Sequence, residues 1–456
     1  MIITGFKRLN WFVCSGIVGL AATLFTTACQ SNKDYAAVLH DPLLYSITVK
    51  KLNDVVLENN FPPMIATRNY VYANIAAYEV IAAGDTGNYL SLAGQIKHLP
   101  PLPVPADTSV IDFPLAAMLA FTKVGNAVTF PEGSMMSHYD HLLHIADSAG
   151  LPSAKIKGSI AYSDTVVAAI MNWAKKDNYA ETRSASRYTV TEEPGRWVPT
   201  PPMYAQAVEP HWMEIRTLVL DSASECRAKN PPVYDPKNKN SAFYKDMMEV
   251  KMVGDSLTEE QKHIADFWDD NPFKMNVAGH VMFATKKFSP PGHWMNIVGI
   301  GAKAAGADFN TTVSGYTLTA IALFDAFISC WEGKYIFNYV RPETAINLLV
   351  DPEWRPYIQT PPFPSFPSGH ATASSAAAEA MSSIFGDNLA FTDTSLLEFG
   401  IPNREIKSFR QASEEAALSR MYGGIHYRFD NELGLESGRR VGQLVVSRIT
   451  MRKTKN

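Results

Sequence analysis

The chain has 456 residues, 46% of them hydrophobic, enough to bury a sizeable core in one large domain or a few ordinary ones. Its 41 Lys and Arg against 45 Asp and Glu leave a formal net charge of -4, and without a basic face no nucleic-acid partner is expected. There is no long block of like charge, no low-complexity tract and no repeat at a fixed period.

The N-terminus reads as a targeting segment. Lys7 and Arg8 precede an apolar stretch from Trp11 to Phe25, then small residues Thr26, Thr27 and Ala28, then Cys29. Charge, length and small-residue site fit a bacterial signal peptide over 1–28. Cys29 in that position resembles a lipoprotein cleavage box, with Thr26 where Leu is usual and bulky Phe25 before it. A lipidated Cys29 followed by a polar tether over 29–40 is the expectation; an ordinary cleaved signal with an incidental Cys29 is the other reading. Either way the chain is expected to be exported, to the periplasm or outer membrane and cell surface of a Gram-negative bacterium. Its membrane contact is expected only through a lipid anchor. After residue 30 no run approaches the ~20 apolar residues of a spanning helix.

The rest is mainly helical by period. Leu44–Leu57 and Met64–Ala83 carry apolar residues at three-four spacing, and Asp112–Val128, Ser134–Ala149 and Ser153–Lys176 follow the same pattern. Asn178–Trp212 has many Thr, Pro and Arg and no period, so Arg196–Pro202 reads as an ordered crossing loop. Ser256–Trp268 begins with Thr258 as N-cap and Gln261 three residues on. Thr311–Phe337 is a long apolar helix, and Ser368–Phe385, Glu405–Tyr422 and Asn431–Met451 complete the set. Strand-type alternation is scarce. The expected fold is all-α, built as helical bundles, with an N-terminal bundle region over 41–300 and a C-terminal catalytic region over 301–456. Cys226 and Cys330 can pair in an oxidising compartment, but Cys330 lies in an apolar helix pattern and reads as a buried free thiol.

Three segments in the last third carry chemistry. Lys334 and Arg341 are seven apart, two helical turns, so they are expected to share a face near the end of the long helix, with Pro342 as the stop. Two such cations can hold an oxyanion; basic residues at a helix end also serve the dipole. Pro367-Ser368-Gly369-His370 opens an Ala-rich helix, whose N-terminus offers free N–H groups to an anion. Ser368 adds a hydroxyl, Gly369 permits close approach, and His370 can pass protons near neutral pH; a capped helix with a surface His is the plainer reading. In Ser419-Arg420-x5-His426-x3-Asp430, a helical turn brings the Asp430 carboxylate to the His426 ring. There it fixes the tautomer and raises the basicity of the other nitrogen; a His–Asp pair that only joins two helices is the alternative.

Together the segments read Lys-x6-Arg-Pro, Pro-Ser-Gly-His and Ser-Arg-x5-His-x3-Asp, eleven fixed residues in order. This pattern resembles the superfamily of type 2 phosphatidic acid phosphatases, bacterial acid phosphatases and vanadium haloperoxidases. The resemblance implies that Lys334, Arg341 and Arg420 neutralise the oxygens of vanadate or phosphate, with hydrogen bonds from Ser368 and the backbone of Gly369. It implies that His426 binds vanadium, or attacks phosphorus in a phosphatase; that Asp430 orients His426; and that His370 is the acid–base group.

Four features favour the haloperoxidase. The lipid phosphatases of the superfamily set these motifs among membrane spans, and its soluble acid phosphatases are much shorter. Trp331 and Phe363 stand where soluble haloperoxidases resemble one another in walling the halide side with aromatics. Ser289-Pro-Pro-Gly-His293-Trp294 and the Arg196–Pro202 loop look like segments of bacterial haloperoxidase-like proteins, although a Pro-Gly turn over a packed Trp is the plainer reading of the former. The resemblance thus implies two four-helix-bundle-like halves, a vanadate cofactor, and oxidation of halide by hydrogen peroxide to hypohalous acid, which halogenates an organic acceptor. Phe363 departs from algal bromoperoxidases, which carry His there, and resembles bacterial iodoperoxidases and fungal chloroperoxidases; iodide or bromide is the expected halide. The alternatives are an exported acid phosphatase with His426 as nucleophile, and a lipid-anchored oxyanion-binding protein without catalysis. Oligomeric state is left open.

Overall fold

A computed structural model describes residues 34–191, 193–272, 274–278 and 281–453; the signal and lipidation readings at residues 1–33 lie outside them. The helices are α1 (Tyr35–Leu39), α2 (Pro42–Glu58), α3 (Pro63–Gly84), α4 (Phe113–Val128), α5 (Met136–Ser148), α6 (Ser153–Ala174), α7 (Tyr179–Thr182), α8 (Ala242–Asp255), α9 (Glu259–Phe267), α10 (Pro290–Ala304), α11 (Phe309–Phe337), α12 (Pro342–Leu349), α13 (Gly369–Phe385), α14 (Phe409–Tyr422) and α15 (Arg428–Arg448). Two short antiparallel hairpins accompany them, β1 (Lys274–Ala278) with β2 (Val281–Thr285) and β3 (Phe391–Asp393) with β4 (Arg404–Ile406). The all-α expectation holds.

Helix α11 is the axis. It is apolar around nearly its whole circumference because it is buried on every side, from Thr312 to Lys334 without interruption. By length and composition it is apolar enough to cross a membrane, which counting unbroken apolar runs does not register, but its apolar window lies wholly inside protein. On one side α11 packs on α3, which with α4 and α6 forms the first bundle; on the other it packs on α13, which joins α14 and α15 in the second. Midway along α11 the buried Asp325 accepts backbone N–H groups from Leu218, Val219 and Leu220 at 2.7, 2.8 and 2.9 Å, pinning the long crossing segment to the axis.

Helices α13 and α15 pack closely. Gly434, Gly438 and Gly442 recur at four-residue spacing and face α13; a Cβ on Gly438 would sit 1.9 Å from the Thr372 carbonyl oxygen. This approach sets the distance between the start of α13 and the start of α15, where the chemistry-bearing residues lie.

Several expectations need correction. The segment 29–40, read as a tether, already contains α1, whose Leu39 is buried. Helix α10 runs across residue 300, where the two regions were divided, and packs on α2, α3, α11 and α13, so it belongs to both. Its Pro-Pro-Gly start suggests a turn, but prolines at the first helical positions forfeit only N–H groups that have no intrahelical partner. Helix α8 lacks an expectation although Phe243, Met247 and Val250 form its buried stripe. The capping box at Thr258 and Gln261 is present as read. Cys226 and Cys330 are both buried and free.

Candidate active site

Lys334 lies in the last turn of α11, but Arg341 does not share its helix. Asn338 takes a left-handed conformation (φ 45°) and ends α11, and Arg341 sits in extended backbone as the residue capping α12. The shared helix face is therefore absent; Asn, tolerant of φ > 0, stops the helix before Pro342 does. The cations meet because the chain folds back. The crossing loop clamps that return: the Trp197 N–H donates to the Asn338 carbonyl (3.0 Å), the Val340 N–H to Gly195 (2.9 Å), and Arg196 to the Phe337 carbonyl (2.9 Å).

The three basic side chains are buried. The Lys334 ammonium donates to the carbonyls of Pro364, Ser365 and Pro367 at 2.9, 3.0 and 2.6 Å. Arg341 donates through Nε to Phe363 (2.9 Å), and through Nη1 to the Ile425 carbonyl (2.9 Å) and to Nε2 of His426 (3.1 Å). Its Nη2 is buried without a hydrogen-bond partner among the described residues. Arg420, at the end of α14, donates to the carbonyls of Trp268 and Asp269 and to the Ser419 hydroxyl. Burial pushes all three downward, Arg341 to about 9 and Arg420 to about 10.

His426 lies just before α15. Its Nδ1 is 2.8 Å from Oδ2 of Asp430, which also accepts the Tyr427 N–H and the Ser365 hydroxyl. The Nδ1 proton points at the carboxylate, so Nε2 presents its lone pair toward Arg341. Burial, then Arg341, Lys334 and Arg420, hold the imidazole far below its ordinary range, hence neutral. Burial pushes the Asp430 carboxyl up. The backbone carbonyl of Asp430 accepts the Ser368 N–H at 3.0 Å, and Ser368 caps α13, which ties the second and third segments together. Gly369 and His370 follow in the first turn of α13, where N–H groups lack intrahelical acceptors.

His370, Gly369, Arg420, His426, Asp269 and Asp270 line a cavity together with the apolar Trp331, Phe363, Phe327, Val208, Pro63 and Pro290. The cavity measures about 80 Å³, against roughly 10–15 Å³ for one water, so its occupants are small. The Phe363 ring centroid lies 5.1 Å from that of Trp331, 5.0 Å from the Lys334 nitrogen and 5.1 Å from the Arg341 guanidinium. The side chain of His370 is 14% exposed, toward the cavity, and its Nε2 has no hydrogen bond among the described residues. Burial, then Arg420, lowers this imidazole to about 4.

Sequence reasoning passes over Asp270 and Asp393 behind His370, and names His293 without giving it a role. Asp270 follows α9 and places Oδ2 3.7 Å from His370 Nε2; its Oδ1 meets His293, which in turn meets Asp393. Two acids after an amphipathic helix, Asp269-Asp270, are the only local signal. Ser365, the hydroxyl donor on Asp430, is likewise without one.

A family model described as the VCPO second helical-bundle domain matches residues 315–454. No curated protein matches the chain. Among solved structures, a bacterial vanadium-dependent iodoperoxidase is 41% identical, with 91% of this chain and 98% of that chain covered and a TM-score of 0.85. A bacterial vanadium-dependent chloroperoxidase in its holo form is 17% identical, covering 86% of this chain and 93% of that one (TM-score 0.63), a likeness of fold alone.

Proposed function

The chain belongs to the vanadium-dependent haloperoxidases, and from that premise we propose that it oxidises iodide, or bromide, with hydrogen peroxide at the cavity between α11, α13 and the start of α15. The single observation that carries the reading is three buried cations without an ion-pair partner around a neutral imidazole. Among the described residues Lys334, Arg341 and Arg420 make no salt bridge, although Asp430 lies near the first two and Asp269 and Asp270 near the third, and one Arg341 nitrogen is buried without a hydrogen-bond partner. Burying unpaired charge is costly, so the arrangement calls for an anion.

The donor set fits vanadate. His426 offers a neutral Nε2 whose basicity Asp430 raises. Arg341 and Arg420, the Ser368 hydroxyl and the Gly369 N–H would hold the oxygens, with Lys334 contributing charge from behind. Bound vanadate supplies a Lewis-acidic vanadium(V) centre that activates peroxide toward halide without a change of its own oxidation state. His370, neutral above its low range, accepts the proton of hydrogen peroxide. Trp331 and Phe363 keep water from the halide side, and the small cavity favours halide and peroxide over a bulky phosphoester. The hypohalous acid formed would leave to react with an organic acceptor outside.

Two assays on purified protein test this: iodide and bromide oxidation by peroxide with and without orthovanadate, and p-nitrophenyl phosphate hydrolysis without it. The expected result is vanadate-dependent oxidation, iodide the faster. Phosphatase turnover with no halide oxidation rejects the reading.

We further propose that the protein is exported and held at the membrane by lipid on Cys29, with the segment up to Asp34 as tether. Supporting this are the charge, apolar stretch and small residues of 1–28. Metabolic labelling with palmitate should mark the protein and fail in Cys29→Ser; labelling that survives the substitution refutes the anchor.

A further inference from the structure

His293, in α10, has no exposed surface. Its ring lies between two carboxylates: Nδ1 is 2.9 Å from Oδ1 of Asp270, and Nε2 is 3.0 Å from Oδ2 of Asp393. A neutral imidazole has one donor and one acceptor nitrogen, and an ionised carboxylate only accepts. Asp393 is prepared as a carboxylate, because the Ser395 N–H and hydroxyl both donate to its Oδ1 at 2.9 and 2.6 Å. Two such neighbours place a proton on each ring nitrogen. The Trp268 ring lies 4.8 Å from the His293 ring, tilted by 30°, and Phe267 lies 5.5 Å away, aromatic surroundings that suit a cation. Although burial works against the charge, the two carboxylates push His293 up to about 10.

Asp270 is the hinge of this row. Its backbone is left-handed (φ 43°), a conformation that a non-glycine residue keeps only when its surroundings impose it. One carboxylate oxygen is taken by His293; the other faces Nε2 of His370 at 3.7 Å. The titratable groups around His370 are Asp270, Arg420, His293 and His426, and Asp270 alone among them is negative.

We propose that His293 is a positioning residue for the acid–base imidazole: held between Asp270 and Asp393, it fixes the Asp270 carboxylate so that its free oxygen faces Nε2 of His370. The proposal rests on the role given to His370 above. At 3.7 Å the contact is too long for a hydrogen bond. Once the ring carries the proton taken from hydrogen peroxide, the imidazolium finds, at Nε2, a carboxylate already aimed at it, which no side chain has to reorganise to supply. Asp393 anchors the far end of the row on the β3–β4 hairpin.

Ring-nitrogen NMR of the apo-protein reads the first consequence without any turnover. At about pH 8, above the ordinary imidazole range, the His293 ring, assigned by the loss of its signals in His293→Gln, should carry protons on both nitrogens. A bare ring nitrogen overturns the proposal. With vanadate loaded, His293→Gln and Asp270→Asn should each lower kcat/KM for peroxide about 10- to 100-fold while vanadate affinity and the halide KM stay within about twofold. Unaltered peroxide kinetics in either folded variant, or parallel loss of vanadate binding, overturns it. If His293→Gln does not fold, Asp270→Asn carries the kinetic test alone. Failure of the underlying function is seen separately, as unaltered enzyme without peroxide-dependent halide oxidation.

Discussion

Nδ1 of His426 lies 2.8 Å from Oδ2 of Asp430, and this one contact decides which nitrogen of the ring keeps its lone pair. Asp430 sits three residues into the turn that opens α15 and accepts the Tyr427 N–H and the Ser365 hydroxyl as well, so the carboxylate cannot swing away. Asp430→Asn presents an amide that can turn its NH2 to the ring and reverse the tautomer. Vanadate affinity, read by equilibrium dialysis, should fall about 10- to 100-fold, as for other partners of metal-bound histidines. His426→Ala should abolish halide oxidation and weaken vanadate binding further while the far-UV circular dichroism is unchanged. Full activity in His426→Ala excludes its role.

The acid limb of the pH profile should belong to His370. Burial and the Arg420 charge lower this imidazole to about 4, so the ring is neutral above that value and able to accept a proton. A bound oxyanion favours the protonated ring and moves the limb upward from the apo value. Peroxide kcat/KM should be level near neutrality and fall as His370 becomes protonated in acid. His370→Ala should remove the limb and lower the rate by about 10²- to 10⁴-fold. An acid limb of unchanged position in His370→Ala assigns it to another group.

What the sequence reveals and what it hides follows from distance along the chain. The pairing of His426 with Asp430, the cap at Ser368 and the period of α11 are local, so spacing alone exposes them. The meeting of Lys334 with Arg341 is also visible, but for the wrong reason: a single helix was the simplest geometry, and the left-handed Asn338 breaks it. The row Asp270–His293–Asp393 joins residues 23 and 100 positions apart, and no periodicity connects them. Helix α10 stays hidden because Pro-Pro-Gly marks a turn as readily as a helix start.

Phe363 should matter to the cradle as well as to the halide. Its ring lies about 5 Å from both the Lys334 nitrogen and the Arg341 guanidinium. Two such contacts at roughly 0.5–1 kcal/mol each correspond to about 5- to 30-fold. Phe363→Ala should therefore weaken vanadate binding by that factor and raise the halide KM, while Phe363→Trp should keep most of the affinity. An unchanged vanadate affinity in Phe363→Ala confines the ring to the halide side.

The spacing of α13 and α15 should couple stability to cofactor affinity. His370 and Ser368 stand at the start of α13, His426 and Asp430 at the start of α15, and Gly438 lets the two helices close until a Cβ would meet the Thr372 carbonyl oxygen at 1.9 Å. That neighbour is backbone, so it cannot rotate aside; α15 has to move. Gly438→Ala should lower unfolding stability by about 1–3 kcal/mol, the usual cost of overpacking, and should weaken vanadate binding because the two ends of the cradle separate. Gly87→Ala, where the nearest atom to a new Cβ is 3.8 Å away, should change neither. Urea unfolding and vanadate titration on the same preparations check both. A Gly438→Ala protein that is destabilised yet binds vanadate as before shows that the helix spacing and the cradle are independent, because the start of each helix is then held by its own loops: Phe363–Pro367 for α13 and Gly423–Tyr427 for α15.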